Sequence, residues 1–256
     1  MLNFFSKTKT VNEAIDYLER RLLHEIKKEY GDIDCFDWSD LSSVCEDVYA
    51  ETNIPFVFII DEWDCVFRFN QTTKGKQEEY LEFLRNLLKD RVYIALAYMT
   101  GILPIKKYGD HSALNMFDEY SMTNQGGLAQ FTGFTEDEVK SLCSQYDMPF
   151  ETTKEWYDGY DLGGMSIYNP RSVVTAMLER TYDDYWTKTE SYEAVKTYIQ
   201  MNYDGLRNSI VQLISGERVF IDTTTFVNDM VTFEIKDDVL TLLIHLGYLG
   251  FDFKTK

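Results

Sequence analysis

The chain has 256 residues, of which 45% are hydrophobic, so it can form one large or two small packed domains and is not wholly disordered. Its 43 acidic and 25 basic residues give a formal net charge of -18, which repels phosphate backbones. The sequence contains no run of four Lys or Arg residues, so we expect no direct nucleic-acid binding from this segment.

The cysteines and histidines show no metal-binding pattern. No two of the four cysteines are spaced as C-x-x-C, and the three histidines do not cluster with them, which argues against a zinc site. Free thiols, no secretory leader at the start and no apolar run of membrane-spanning length together predict a cytoplasmic protein without membrane contact.

The first half of the chain alternates helical and strand patterns. Apolar residues recur at three- and four-residue spacing in Val11–Glu29 and Asp40–Glu51, which predicts two helices, the first capped by Thr10 or Asn12. The unbroken apolar run Phe56–Ile60 is typical of a strand that is buried on both faces of a parallel sheet.

A helix at Gln77–Lys89 and a second buried strand at Arg91–Met99 continue this alternation. Strands that alternate with helices favour the α/β class, with a parallel sheet and right-handed crossovers. A further short strand is predicted at Leu128–Phe131.

The second half is mainly helical. Thr135 to Glu138 has the pattern of a capping box, and Asn169-Pro170 is typical of a helix start. Near the end, helical and strand patterns together suggest a winged-helix-like module. Its predicted helices are Glu190–Met201, Leu206–Ser215 and Asp237–Leu246, and its predicted strands are Arg218–Ile221 and Tyr248–Phe253.

Carboxylates follow the first predicted strand directly, as Asp61, Glu62 and Asp64. Open α/β sheets place their chemistry at the carboxyl ends of strands. An apolar run followed by Asp-Glu resembles the Walker B element of a P-loop ATPase, in which the Asp helps to hold Mg²⁺ and the Glu orients the attacking water. The alternative is a core strand that ends in a solvated acidic turn, and the spacing alone does not decide between the two.

Thr100 directly follows the second predicted strand. It is a candidate for the polar sensor 1 residue of such an ATPase, which reaches toward the γ-phosphate or the attacking water. The alternative is a Thr that caps the turn before Gly101.

Six strings in order resemble one family. They are FVFIIDEWD (56–64), AYMTGILPIK (97–106), SALNMFDEY (112–120), GFTEDEV (133–139), WYDGY (156–160) and IYNPRSV (167–173). The set is similar to the AAA-ATPase-like proteins of anaerobic gut bacteria, relatives of the STAND and archaeal ATPases, and the similarity covers nearly the whole chain.

The resemblance implies a partial P-loop NTPase core of the ASCE type in residues 1–134, a parallel sheet with helices on both faces. It also implies a helical lid in 135–180 and a winged-helix-like module in 181–256. ATP and Mg²⁺ are the implied ligands, with Asp61 for the metal, Glu62 for the catalytic water and Thr100 as the sensor.

The sequence departs from this family in two places. The phosphate-binding loop G-x-x-x-x-G-K-[ST] is absent, since Gly75-Lys76 lies after the acidic strand and lacks the upstream glycine. The nuclease-like C-terminal domain of the family is also missing. We therefore expect the interior of a longer protein, in which ATP is bound tightly and hydrolysed only with the missing N-terminal segment. Without that segment, the strand Val92–Met99 should have a bare edge or pair with Leu128–Phe131.

Two other functions fit the sequence. The first is a non-catalytic interaction or regulatory module that binds a protein partner or a second copy. The second is an Mg²⁺-dependent nuclease, which would need carboxylates and a Lys on neighbouring strands. The D/E-x-K triplets lie on predicted helices or far along the chain, which argues against the nuclease.

Overall fold

The computed structural model describes residues 8, 10–68, 73–102, 114–185, 205–224, 226 and 235–251. They fall into two compact units, of which the first ends at Asp118 and the second begins at Glu119. The three-part division at residues 134 and 180 stays a prediction. No helix of the described ranges is both long enough and apolar enough to cross a membrane.

The first unit is a mixed α/β structure with a small parallel sheet, as the alternating pattern predicts. Its elements are α1 (Val11–Tyr30), α2 (Leu41–Thr52), β1 (Phe56–Ile60), α3 (Cys65–Arg68), α4 (Lys74–Leu88) and β2 (Ile94–Met99). Thr10, rather than Asn12, caps α1, because its hydroxyl accepts the backbone N–H of Glu13 at 3.2 Å.

The sheet differs from the prediction in its burial. β1 and β2 pair in parallel, and the side chains of β1 alternate between the two faces. Phe56, Phe58 and Ile60 pack on the core beneath the sheet. The opposite face is exposed: Val57 is 56%, Ile59 76%, Leu96 54% and Tyr98 52% accessible. We call these four residues the open face.

Helices on both faces of the sheet are therefore not found in the described part of the chain. Alternation puts every second residue of a strand on the opposite face, and here both sets are apolar. In the same residues β2 pairs only with β1. The other predicted partner, Leu128–Phe131, is not a strand, because Ala129–Phe131 forms a 3₁₀ turn.

The four cysteines of the chain are all buried and unlinked, at positions 35, 45, 65 and 143. Burial raises the pKa of the Cys45 thiol to about 12, so this thiol stays protonated and unreactive at neutral pH. Cys65 and Cys143 are core residues.

The second unit contains helices and a three-stranded antiparallel sheet in the order β3-β5-β4. Its elements are β3 (Phe134–Thr135), α5 (Glu136–Tyr146), α6 (Phe150–Tyr157), β4 (Asp158–Leu162), β5 (Met165–Tyr168), α7 (Pro170–Glu179), α8 (Leu206–Ile214) and α9 (Lys236–His245). The capping box of Thr135 and Glu138 is confirmed, as is the N-cap Asn169 with Pro170 at the first helical position.

The helices predicted for a winged-helix-like module are observed only in part. Two of its three helices are present as α8 and α9, and the third, Glu190–Met201, lies outside the described residues. Residues 218–221 and 248–251 form no strand, and the last two residues of the predicted edge strand are not described. Without a hairpin in these ranges, the winged-helix assignment stays a prediction.

His245 lies near the end of α9, with its ring centroid 5.6 Å from that of Phe226. Burial lowers the pKa of His245 to about 4, because the apolar surroundings penalise the charged imidazolium. The pKa of His in an unfolded chain is near 6.5. Between about pH 6.5 and 4, His245 is therefore protonated in the unfolded state and neutral in the folded state. The contribution of His245 to the stability of this unit is thus fully present above about pH 6.5 and is lost as the pH drops toward 4.

We predict that His245→Gln makes the stability of the second unit less dependent on pH over this window, by up to about 3 kcal/mol between pH 7 and 4. Urea unfolding at both values, compared with wild type, measures this change. His24→Gln, at an exposed position of α1, is the matched control and should leave the wild-type dependence intact. An equal pH dependence of wild type and His245→Gln would contradict the prediction.

Candidate functional site

The carboxyl ends of β1 and β2 are joined beyond the last residues of the strands. The backbone N–H of Thr100 donates to the carbonyl of Ile60 at 2.9 Å, and the N–H of Trp63 donates to the carbonyl of Thr100 at 3.0 Å. Because parallel strands end at the same edge of the sheet, these bonds bring together the two segments that carry the predicted site residues.

Thr100 and Asp61 are in direct contact. The Thr100 hydroxyl donates a hydrogen bond to Oδ1 of Asp61, with an oxygen–oxygen distance of 2.5 Å. Short O–H to carboxylate distances are typical of charge-assisted hydrogen bonds. The hydrogen bond thus joins two residues that are 39 apart in sequence, at the ends of two strands. In the alternative interpretation, the Thr100 hydroxyl would instead cap the turn before Gly101. The Asp61 carboxylate is exposed to solvent, and Thr100 is half-buried.

Glu62 has an unusual backbone conformation. Its φ is 53°, in the left-handed region that non-glycine residues seldom adopt. Such residues are concentrated at functional sites, where the surrounding structure holds them in place. Glu62 is half-buried and directly follows Asp61, so it lies at the same edge of the sheet.

Residues next to Asp61 and Thr100 support the site in a way that no sequence pattern predicted. Asp64 is fully buried, and its Oδ2 accepts the backbone N–H of Ile102 at 3.1 Å. Gly101 lies between Thr100 and Ile102 in the chain. A Cβ at this position would stand 2.7 Å from the Trp63 ring and 2.8 Å from Oδ1 of Asp64. In the sequence, the only indication that residues 100–102 approach Trp63 and Asp64 closely is the Thr100-Gly101 pair after a strand.

Trp63 is fixed by the helix α4. The Tyr80 hydroxyl donates to the Trp63 carbonyl at 2.7 Å, and the Trp63 ring packs edge-on against Phe67, 5.5 Å between centroids. Burial raises the pKa of Tyr80 well above its usual range, so the hydroxyl remains a proton donor. The turn that carries Asp61 and Glu62 is therefore anchored in the core of the first unit.

The site offers few protein ligands for a metal. The described residues contain no group of three or more His, Cys, Asp or Glu side chains placed to hold a metal ion. Asp61 supplies carboxylate oxygens at the exposed edge, and the oxygen of Thr100 lies beside them. Mg²⁺ keeps several waters and is commonly held by one or two carboxylates together with substrate phosphates. The donor set fits such a shared site and does not fit a closed protein cage.

The aromatic strings of the second unit have packing roles. Tyr157 and Tyr168 are buried in one cluster with residues of α5 and α7, and Asn169 caps α7. Trp156 is half exposed, with its ring 6.3 Å from that of Tyr182.

The chain is distantly similar to a known protein. An uncharacterized protein in the vnfD 5' region of Azotobacter chroococcum mcd 1 is 26% identical to this chain over 207 residues. The match covers 75% of this chain and 36% of that protein, so the chain spans about a third of the length of the curated relative it matches. No protein-family model and no solved structure matches the chain.

Proposed function

We propose that this chain carries the metal-holding and water-orienting half of an ATP-hydrolysing site of the AAA-like or STAND-like kind. The observation that supports this most directly is the hydrogen bond from Thr100 to Asp61 at the joined ends of β1 and β2. ATPases of this class place an acidic residue for Mg²⁺ and a polar residue at neighbouring strand ends.

Each residue has a distinct task in this proposal. Asp61 contributes carboxylate oxygens to Mg²⁺, which neutralises charge on the phosphates when it is bound. Thr100 orients that carboxylate through the hydrogen bond that its hydroxyl donates. Glu62, next in sequence, orients the attacking water and accepts its proton. The left-handed turn at Glu62 sets where its carboxylate lies relative to Asp61.

The phosphate-binding loop of P-loop enzymes is absent from these 256 residues. In P-loop enzymes the phosphates are held mainly by backbone N–H groups of a glycine-rich loop and by its Lys. The sequence has no G-x-x-x-x-G-K-[ST] string, so the proposal assigns that loop to a segment outside these residues. Tight ATP binding and turnover are accordingly expected only when such a segment is present.

We predict that the chain alone binds Mn²⁺, a spectroscopic substitute for Mg²⁺, weakly and through Asp61. Asp61→Asn should weaken Mn²⁺ binding by about tenfold, or about 1.4 kcal/mol, because the amide carries no charge. Paramagnetic broadening of NMR signals near the site measures the affinity. Asp90→Asn is the matched control, since Asp90 is also an exposed aspartate of the first unit.

Two outcomes would contradict this proposal. Equal Mn²⁺ affinity of wild type and Asp61→Asn would remove Asp61 from the metal site. Micromolar ATP affinity of the chain alone, measured by calorimetry, would contradict the need for an additional phosphate loop.

A second function is favoured by the open face, namely a non-catalytic module that binds a protein. Contiguous exposed apolar patches of more than a few hundred Å² mark interaction sites. Parallel sheets are usually covered by helices on both sides, so the complementary partner is a helix with an apolar stripe. Residues 10–102 carry 19 acidic and 10 basic side chains, which favours Lys or Arg beside that stripe.

Without a partner, the open face should cause self-association. We predict that the wild-type mass measured by light scattering rises with protein concentration, and that Ile59→Lys lowers this rise, because a charge in the centre of the patch opposes burial. Asn86→Lys, which adds the same charge at an exposed polar position of α4, is the control. A wild-type chain that stays monomeric at high concentration would argue against self-association through the open face.

A further inference from the structure

Asp64 differs from the other two carboxylates of its turn because it is fully buried. A buried carboxylate is strongly unfavourable unless hydrogen bonds compensate for its lost hydration. One such bond comes from the backbone N–H of Ile102, at 3.1 Å from Oδ2. A carboxylate in a solvated acidic turn would need no such bond. The burial of Asp64 therefore indicates that this side chain has a structural role.

The bond to Ile102 lies beside the contact between Asp61 and Thr100. Asp61 and Asp64 are three residues apart on one segment, and Thr100 and Ile102 are two apart on the other. The bond from the Trp63 N–H to the Thr100 carbonyl lies between these two contacts. Three hydrogen bonds thus clamp residues 61–64 to residues 100–102, and we call this set the clamp.

Gly101 lets the two segments of the clamp approach closely. Any Cβ at this position would lie 2.7 Å from Cδ1 and Nε1 of Trp63 and 2.8 Å from Oδ1 of Asp64. Atoms do not approach so closely without displacement. The position of Asp64 and the path of the chain from Thr100 to Ile102 are therefore mutually dependent.

We propose that Asp64 is a positioning residue, which holds the Thr100–Ile102 segment so that the Thr100 hydroxyl meets the Asp61 carboxylate. The part that this contact plays in metal binding and ATP hydrolysis rests on the proposed function. The clamp itself rests only on the hydrogen bonds and the packing at Gly101.

Asparagine and alanine at position 64 separate the hydrogen bond from the charge. The amide oxygen of Asp64→Asn still accepts the Ile102 N–H but carries no charge, whereas Asp64→Ala removes both. If the clamp positions Thr100, then Asn should preserve the geometry and Ala should not. If the charge of Asp64 alone were important, both variants would behave alike.

The test uses NMR of the whole chain. In Asp64→Ala we expect hydrogen exchange of the Ile102 amide to accelerate by about tenfold or more, as for a lost hydrogen bond. The Thr100 methyl shift should move to its value in Asp61→Asn, and Mn²⁺ affinity should fall severalfold. Asp64→Asn should keep the wild-type exchange and methyl shift. Asp90→Ala is the control for loss of a carboxylate in this unit.

Asp64→Asn keeps the inference testable if the alanine variant does not fold. A Thr100 methyl shift that moves in Asp64→Asn while Ile102 stays protected would overturn the inference, as would an unchanged shift in a folded Asp64→Ala. Failure of wild type to bind Mn²⁺, with the clamp signals as expected, would contradict the proposed function and leave the clamp supported.

Discussion

Tyr80→Ala is expected to lower the free energy of unfolding of the first unit by about 3–5 kcal/mol, the range for truncating a buried aromatic residue. The side chain is fully buried on α4, and its ring packs edge-on against Phe67 at 6.4 Å between centroids. Its removal leaves a large cavity and also leaves the Trp63 carbonyl without its donor. Urea unfolding followed by circular dichroism measures the loss.

Two other Tyr variants divide this loss into its causes. Tyr80→Phe keeps the ring and removes only the hydroxyl, so it should cost about 1–2 kcal/mol. Tyr98→Ala removes the same side chain from the open face, where it is 52% exposed, and should cost less than about 1 kcal/mol. Equal losses for Tyr80→Ala and Tyr98→Ala would show that burial on α4 does not stabilise the unit as described.

Gly101→Ala is expected to destabilise the first unit by about 1–3 kcal/mol, as overpacking of a close-packed site does. The new methyl group would overlap the Trp63 ring and the Asp64 carboxylate, both of which are buried. One of the two must move, and either movement disturbs the clamp. We therefore also expect weaker Mn²⁺ binding, measured on the same protein as the urea unfolding.

Gly75→Ala is the matched control for this substitution. Gly75 lies in α4 of the same unit, and apart from its chain neighbours and the adjacent backbone of its own helix no atom lies within 4 Å of the position its Cβ would take. Alanine favours helix over glycine by up to about 1 kcal/mol, so this variant should be neutral or more stable. Wild-type stability and Mn²⁺ affinity in Gly101→Ala would show that the two segments are less tightly packed than the distances indicate.

Local sequence patterns predicted most of the elements and the two bonded residues of the site. The helix starts at Thr135 and Asn169 depend on residues within one turn, so short strings suffice to locate them. Asp61 and Thr100 were predictable for a different reason. Each ends an apolar run, and parallel strands bring their carboxyl ends to one edge of the sheet.

Features that depend on distant partners were not predictable from the sequence. Phe56–Ile60 is apolar at every position, so the sequence does not distinguish its covered face from its open face. The bond from Ile102 to Asp64 joins residues 38 apart and leaves no periodic signal. The hairpin of β4 and β5, which turns at Gly163-Gly164 where both residues have positive φ, was not predicted either.

The backbone of one residue, Trp63, links α4 to the ends of both strands. The carbonyl of Trp63 accepts the Tyr80 hydroxyl, and the N–H of the same residue donates to Thr100. Hydrogen bonds weaken steeply once the donor and acceptor separate beyond about 3.5 Å, so a shift of α4 by about 1 Å would strain one of these bonds. Any ligand that displaces α4 should therefore alter the affinity at Asp61, and by thermodynamic reciprocity a metal at Asp61 should alter the affinity for that ligand to the same extent.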